Sequence, residues 1–124
     1  MMATSLVDRV GFGVAVDDTA VTDGSATLGT TAVEVTLPDV TAGGGGNGYI
    51  KVKLVNLSAS ATIGWKMVPR GAAAPTISTT PASGMASPIL PNVTEYITIP
   101  TSCDLYVVAS AAATSWSSTA QLIR

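Results

Sequence analysis

The chain has 124 residues, of which 47% are hydrophobic, 5% aromatic and only 11% charged. Soluble domains carry about 25% Asp, Glu, Lys and Arg, so the charge that keeps a free monomer in solution is largely missing, and the simplest account is that much of the surface meets other protein. There is no His and a single Cys, which excludes His-dependent triads, a zinc cage and an intrachain disulfide. Six basic residues against eight acidic ones, a net charge of −2, leave no basic footprint for nucleic acid. No apolar run reaches the roughly 18–20 residues that cross a bilayer, and Asp8 and Arg9 break up the start of the chain, so neither a membrane span nor a signal peptide is expected.

Alternation with period 2 dominates from the start. Residues 1–8 read as an N-terminal arm and 9–124 as a single β domain. Val10, Phe12, Val14 and Val16 share one strand face, with Gly11, Gly13 and Ala15 opposite. Asp23-Gly24, between Thr- and Val-rich flanks, reads as a hairpin turn. Val33, Val35 and Leu37 alternate with Glu34 and Thr36 until Pro38-Asp39 ends that strand. The glycine run within 43–48 reads as a flexible loop.

The clearest strand follows it. Ile50, Val52 and Leu54 face a core while Lys51 and Lys53 face water. Val55 and Leu57 fall on the Lys side, which calls for a bulge near Leu54 or for cover on both faces. Ile63, Trp65 and Met67 form another alternating strand, ended by Pro69 and Arg70-Gly71.

Over 72–92 the pattern dissolves into Ala, Pro, Ser and Thr, a long loop of the kind that is usually functional or bound to something. Two strands return at 95–99, with Ile97 and Ile99 inward, and at 104–110, with Leu105, Val107 and Ala109 inward; Pro100-Thr101-Ser102 is the turn between them. The alanines at 109–113 read as a strand end and turn rather than a helix. Trp116, Ala120 and Leu122 share one face of a last strand. The expected fold is all-β, an antiparallel β-sandwich or small β-barrel of roughly six to eight strands.

Few residues offer chemistry. Asp17, Asp18 and Asp23 would suit calcium by residue type, but their spacing is not that of an EF-hand and acidic residues favour turns by bonding their own backbone; no metal or other cofactor is expected. The glycines precede a strand rather than a helix, unlike a phosphate-binding loop. Cys103 has no basic neighbour in sequence to activate it, the hydroxyls lack an assisting base, and nothing singles out Lys51 or Lys66. Glu34, Glu95 and Asp104 have no spacing that pairs two carboxylates. The chain is therefore expected not to be an enzyme. Asn56-Leu57-Ser58 and Asn92-Val93-Thr94 match the glycosylation pattern, which carries little without a secretory route.

Trp65 and Trp116 are in phase with core positions. Tyr96 and Tyr106 are out of phase, on the faces opposite Ile97/Ile99 and Leu105/Val107, where an interface or a ligand would use them. Tyr96 and Tyr106, with Pro75, Pro81, Met85 and Pro88 of the long loop, are the candidate interface residues, and interface is preferred over a sugar platform.

The segments VNLSASATIGWKMV and EYITIPTSCDLYVVASAAATSWSSTAQLI resemble small virion proteins of tailed bacteriophages, in which an N-x-S-x-x-x-x-I-G strand pair precedes a D-L-Y-V/A-x-A-S strand. Asn56, Ser58, Ile63, Gly64, Asp104, Leu105, Tyr106, Ala109 and Ser110 carry the resemblance, over about half the chain. It implies a capsid decoration (cement) protein, head fibre or tail accessory module, without enzymatic activity. Such a protein is a symmetric homo-oligomer, a trimer being favoured, that contacts the major capsid protein or another virion protein in a virion assembled in the host cytoplasm. On this reading the arm 1–8 and the segment 72–92 make the contacts. The alternative is a tail or head-fibre module that recognises a host-surface glycan or receptor.

Overall fold

A computed structural model of the chain describes residues 21–24, 26–39, 48–77 and 87–123. In chain order its strands are β1 (Val21–Asp23), β2 (Val33–Glu34), β3 (Tyr49–Asn56), β4 (Ile63–Pro69), β5 (Ser87–Ile89), β6 (Thr94–Pro100), β7 (Cys103–Ala109) and β8 (Trp116–Ile123). They form two four-stranded antiparallel sheets, ordered β1-β8-β3-β6 and β2-β7-β4-β5. The architecture is an all-β sandwich. The expected strand at 10–16, the arm 1–8, Asp17, Asp18 and the glycines at 43–46 lie outside the described residues.

The period-2 patterns build the centre. Ile50, Val52 and Leu54 of β3 are fully buried, while Lys51 and Lys53 are exposed. Ile50 stands between Leu122 and Ile99, and Val52 between Ala120 and Ile97, so inward rows run across the first sheet. Leu105, Val107 and Ala109 of β7, Ile63 of β4 and Ile89 of β5 face them from the second sheet. Each large aliphatic side chain removed from water contributes about 1.5–3 kcal/mol, which makes this one cluster the principal source of stability.

Three expectations need correction. Asp23-Gly24 is not the turn of a tight hairpin: β1 pairs with β8, and β2 with β7 in the other sheet. Gly24 serves close approach instead. Its φ is +122°, and a Cβ there would lie 2.5 Å from the Trp116 carbonyl oxygen. Residues 26–32 thus lead toward the other sheet, with Leu28 buried and exchanging backbone hydrogen bonds with Thr114 at 2.9 Å. β3 has neither a bulge nor two covered faces: pairing continues in register through Asn56, Val55 is half-buried and Leu57 is 55% exposed.

As expected, Val33 and Val35 share the inward face: Val33 lies opposite Val107, and Val35 is buried and donates its N–H to the Leu105 carbonyl at 2.8 Å, while Val33 stays exposed because β2 is an edge strand of two residues. Finally, the stretch 72–92 is not all loop. Ser87–Ile89 is an edge strand on β4 among the described strands, a position where the missing N–H of Pro88 leaves no neighbouring described strand without a hydrogen bond.

The inward position after Leu54 is Asn56, with no exposed surface at all. Its amide donates to the carbonyls of Ala61 at 2.8 Å and Ile89 at 3.0 Å, and its Oδ1 accepts from the Ser58 N–H at 3.0 Å. Asn56→Ala removes these bonds and leaves buried backbone groups unpaired, so we expect a loss of about 3 kcal/mol. Asn56→Asp has an equal effect in kind, because a carboxylate cannot donate to two carbonyls. Urea denaturation checks both; a loss below about 1 kcal/mol for Asn56→Ala contradicts the role.

Candidate interaction surfaces

The two sheets differ in what covers their outer faces. On the first sheet Lys51, Lys53, Tyr96, Thr98, Thr119 and Gln121 project outward and line a shallow concavity of about 330 Å³. Register places Lys53 between Tyr96 and Thr119, and Lys51 between Thr98 and Gln121. Tyr96 is 76% exposed, as its phase predicts. Glu95, opposite Leu54, takes an inward position on this edge strand, so among the described residues the face carries two lysines and no acid.

Tyr106 does point away from Leu105 and Val107, but it is not available. It is only 9% exposed, packed with Ile77, Val108, Ala32 and Val68. Ile77 brings the start of the 72–92 segment back over the second sheet, so this part of the segment covers its own domain. Tyr96 and Tyr106 lie in different sheets and form no common platform. Pro75 is half-buried and Pro88 exposed on β5, while Pro81 and Met85 lie outside the described residues. Burial pushes the Tyr106 phenol above its ordinary pKa, and the carboxylates of Glu34 and Asp104 add to the effect.

Strand pairing also brings together residues that spacing in sequence left apart. Glu34 and Asp104 line one open cleft of about 490 Å³ with Asp39, Arg70 and Cys103. Asp104 accepts the Gly71 N–H at 2.9 Å, and Cys103 is half-buried against the core. Asp23 is committed elsewhere: its carboxylate accepts from the Gly24 N–H at 2.8 Å, the Thr36 hydroxyl at 2.8 Å and the Thr36 N–H at 3.2 Å. Partial burial pushes its pKa up, but these three hydrogen bonds outweigh that and hold it below the ordinary value. Trp116 is a core residue whose Nε1 donates to Ala26 at 2.7 Å. Trp65 packs against the core as a half-buried neighbour.

Sequence reading missed Leu57, Leu90 and Val93, which are 55%, 60% and 40% exposed. Hydrogen bonds from Asn56 N to Val93 O, Asn92 N to Ser58 O and Val93 N to Leu90 O hold their loops together at one end of the sandwich. The only advance signal was that Leu57 falls out of phase with the core.

No protein-family model, curated protein or solved structure matches this chain.

Two pH-dependent outcomes follow from these groups. The stabilisation from Asp23 is complete above the ordinary carboxylate pKa and is lost as pH falls through its lowered native value, so acid unfolding between about pH 4 and pH 2 is shallower in Asp23→Ala than in the native chain. Ile77→Ala uncovers Tyr106, and spectrophotometric titration then shows one of the three tyrosines ionising at lower pH than before. An unchanged titration contradicts the covering role of Ile77.

Proposed function

We propose that this chain is a non-enzymatic structural protein of a virion, a capsid decoration protein that binds the assembled shell and stabilises it. The observation that carries this reading is the outer face of the first sheet, where Tyr96 stands 76% exposed on a hydrogen-bonded antiparallel framework. Exposed Tyr on a contiguous face is typical of protein contacts. The second sheet, by contrast, is covered by its own chain at Ile77. The low charge of the whole sequence and the resemblance to phage virion proteins support the same conclusion.

A protein that binds the shell but not free subunits shifts assembly toward the shell by mass action. Several copies joined in one oligomer add avidity. The work of such a protein is binding alone, in a virion assembled in the host cytoplasm, with the major capsid protein or another virion protein as partner and no cofactor. The face around Tyr96 takes over part of the contact role expected of the 72–92 segment, whose residue Ile77 is turned inward.

A glycan- or receptor-binding module of a tail or head fibre is the second reading, favoured by Tyr96 lying opposite Lys53 among Thr98, Thr119 and Gln121. Co-sedimentation with purified shells separates the two. Tyr96→Ala is expected to weaken shell binding by about 30-fold, the effect of losing a central aromatic anchor. Absence of wild-type binding to shells, together with saturable sugar binding lost in Tyr96→Ala, overturns the decoration reading in favour of the glycan module.

A further inference from the structure

The charges of this chain are unevenly placed. Four connections meet at the end of the sandwich where β3, β5 and β7 finish: residues 24–32, 57–62, 90–93 and 110–115. Their sequences, GSATLGTTA, LSAS with Ala61-Thr62, LPNV and SAAATS, contain no Asp, Glu, Lys or Arg. Leu57, Leu90 and Val93 stand exposed there. We propose that this uncharged end is the surface through which two copies of the chain meet end to end, which deepens the assembly reading above by naming its copy-to-copy contact.

The surface is already built in the single chain. Besides the bonds that join 90–93 to 56–58, Leu57 N donates to Ser115 O at 3.1 Å, and Thr62 and Ser110 exchange two hydrogen bonds at 2.9 Å. Leu28 and Thr114 close the row on the far side. Asn92 and Ala113 hold left-handed φ values of 60° and 56° at the turns. Loops fixed to one another in this way lose little freedom on docking.

Charge selects the occupant. An isologous two-fold contact sets each patch against itself, so any excess of one sign meets its like across the axis, which costs several kcal/mol. The outer face of the first sheet would oppose Lys53 to its own copy. The cleft at the other end would oppose Glu34 and Asp104 to their own copies, with Arg70 the one cation among its lining residues. The four connections bring no such conflict, and their aliphatic side chains gain by leaving water. A lipid surface is a poorer fit, because interfacial anchors use aromatic and basic residues and these connections contain neither.

Sedimentation equilibrium of the full chain tests the proposal. The native protein is expected to show a concentration-dependent mass of two chains. Leu90→Lys and Leu90→Glu, at an exposed position where folding tolerates charge, each weaken association by about 100-fold or more. An equimolar mixture of the two restores it. A native protein that stays monomeric, variants that associate like the native chain, or folded variants that fail to recover on mixing each overturn the proposal. So does a monomer whose binding to neutral phosphatidylcholine vesicles is lost in Leu90→Lys, which assigns the end to lipid. A monomer that binds shells through this end, with Leu90→Lys abolishing binding, overturns the copy contact and leaves the decoration reading standing; self-association without shell binding does the reverse.

Discussion

Three segments of chain converge on the side-chain amide of Asn56, and the junction between the two sheets depends on them meeting there. Asn56 ends β3 in one sheet, Ile89 ends β5 in the other, and Ala61 belongs to the connection that leads into β4. A hydrophobic residue at this inward position would add apolar area but would strand two carbonyls and the Ser58 N–H. Unpaired buried groups of this kind cost about 1–3 kcal/mol each. Ser58 extends the arrangement, its hydroxyl oxygen accepting the N–H groups of Ser60 and Ala61 at 3.1 and 2.9 Å. Ser110 does the same for Thr62 from the opposite loop. The tight folding of the 57–62 connection therefore rests on polar side chains within a nearly apolar framework.

That arrangement gives physical content to the residues on which the proposed resemblance to phage virion proteins rests. Asn56 and Ser58 shape a turn, Ser110 fastens it to the neighbouring loop, and Gly64 is buried in register with Pro88 and Val108. Leu105 and Ala109 fill the core, while Asp104 accepts the Gly71 N–H. These are roles in building a sandwich end and its core. They account for the sequence pattern through the fold.

Much of the fold was legible because burial on one face of a strand writes itself as alternation. β3, β6, β7 and β8 each bury two or more alternate residues, and their inward sides were correctly placed. Legibility failed where other constraints act. Asp23-Gly24 has the residues of a tight turn, but the glycine is required by the approach of the Trp116 backbone and the aspartate is drawn to Thr36, thirteen positions away. β5 is a three-residue edge containing proline, too short to show a period. Phase gave Tyr106 its correct side of the sheet but carried no information on Ile77, whose packing there is a tertiary event. The uncharged end was equally hidden, because its four connections are scattered along the sequence and only the fold assembles them.

The charge deficit that sets this chain apart in composition is thus localised rather than uniform. Among the described residues, two lysines lie on the outward side of β3, carboxylates gather beside the cleft at one end, and the four connections at the opposite end have none of either. Such a distribution separates two tasks that a uniformly neutral surface would confuse. A face with fixed positive charge discriminates among partners, because a surface of like sign is repelled. An uncharged aliphatic end would accept its own copy without that penalty, and among the described residues it exposes three large apolar side chains, a patch small enough to limit indiscriminate sticking. The two surfaces lie on different parts of a framework whose loops and sheets are hydrogen-bonded together, so occupation of one leaves the other free, which is the geometric requirement for a small module that joins copies of itself while holding a larger assembly.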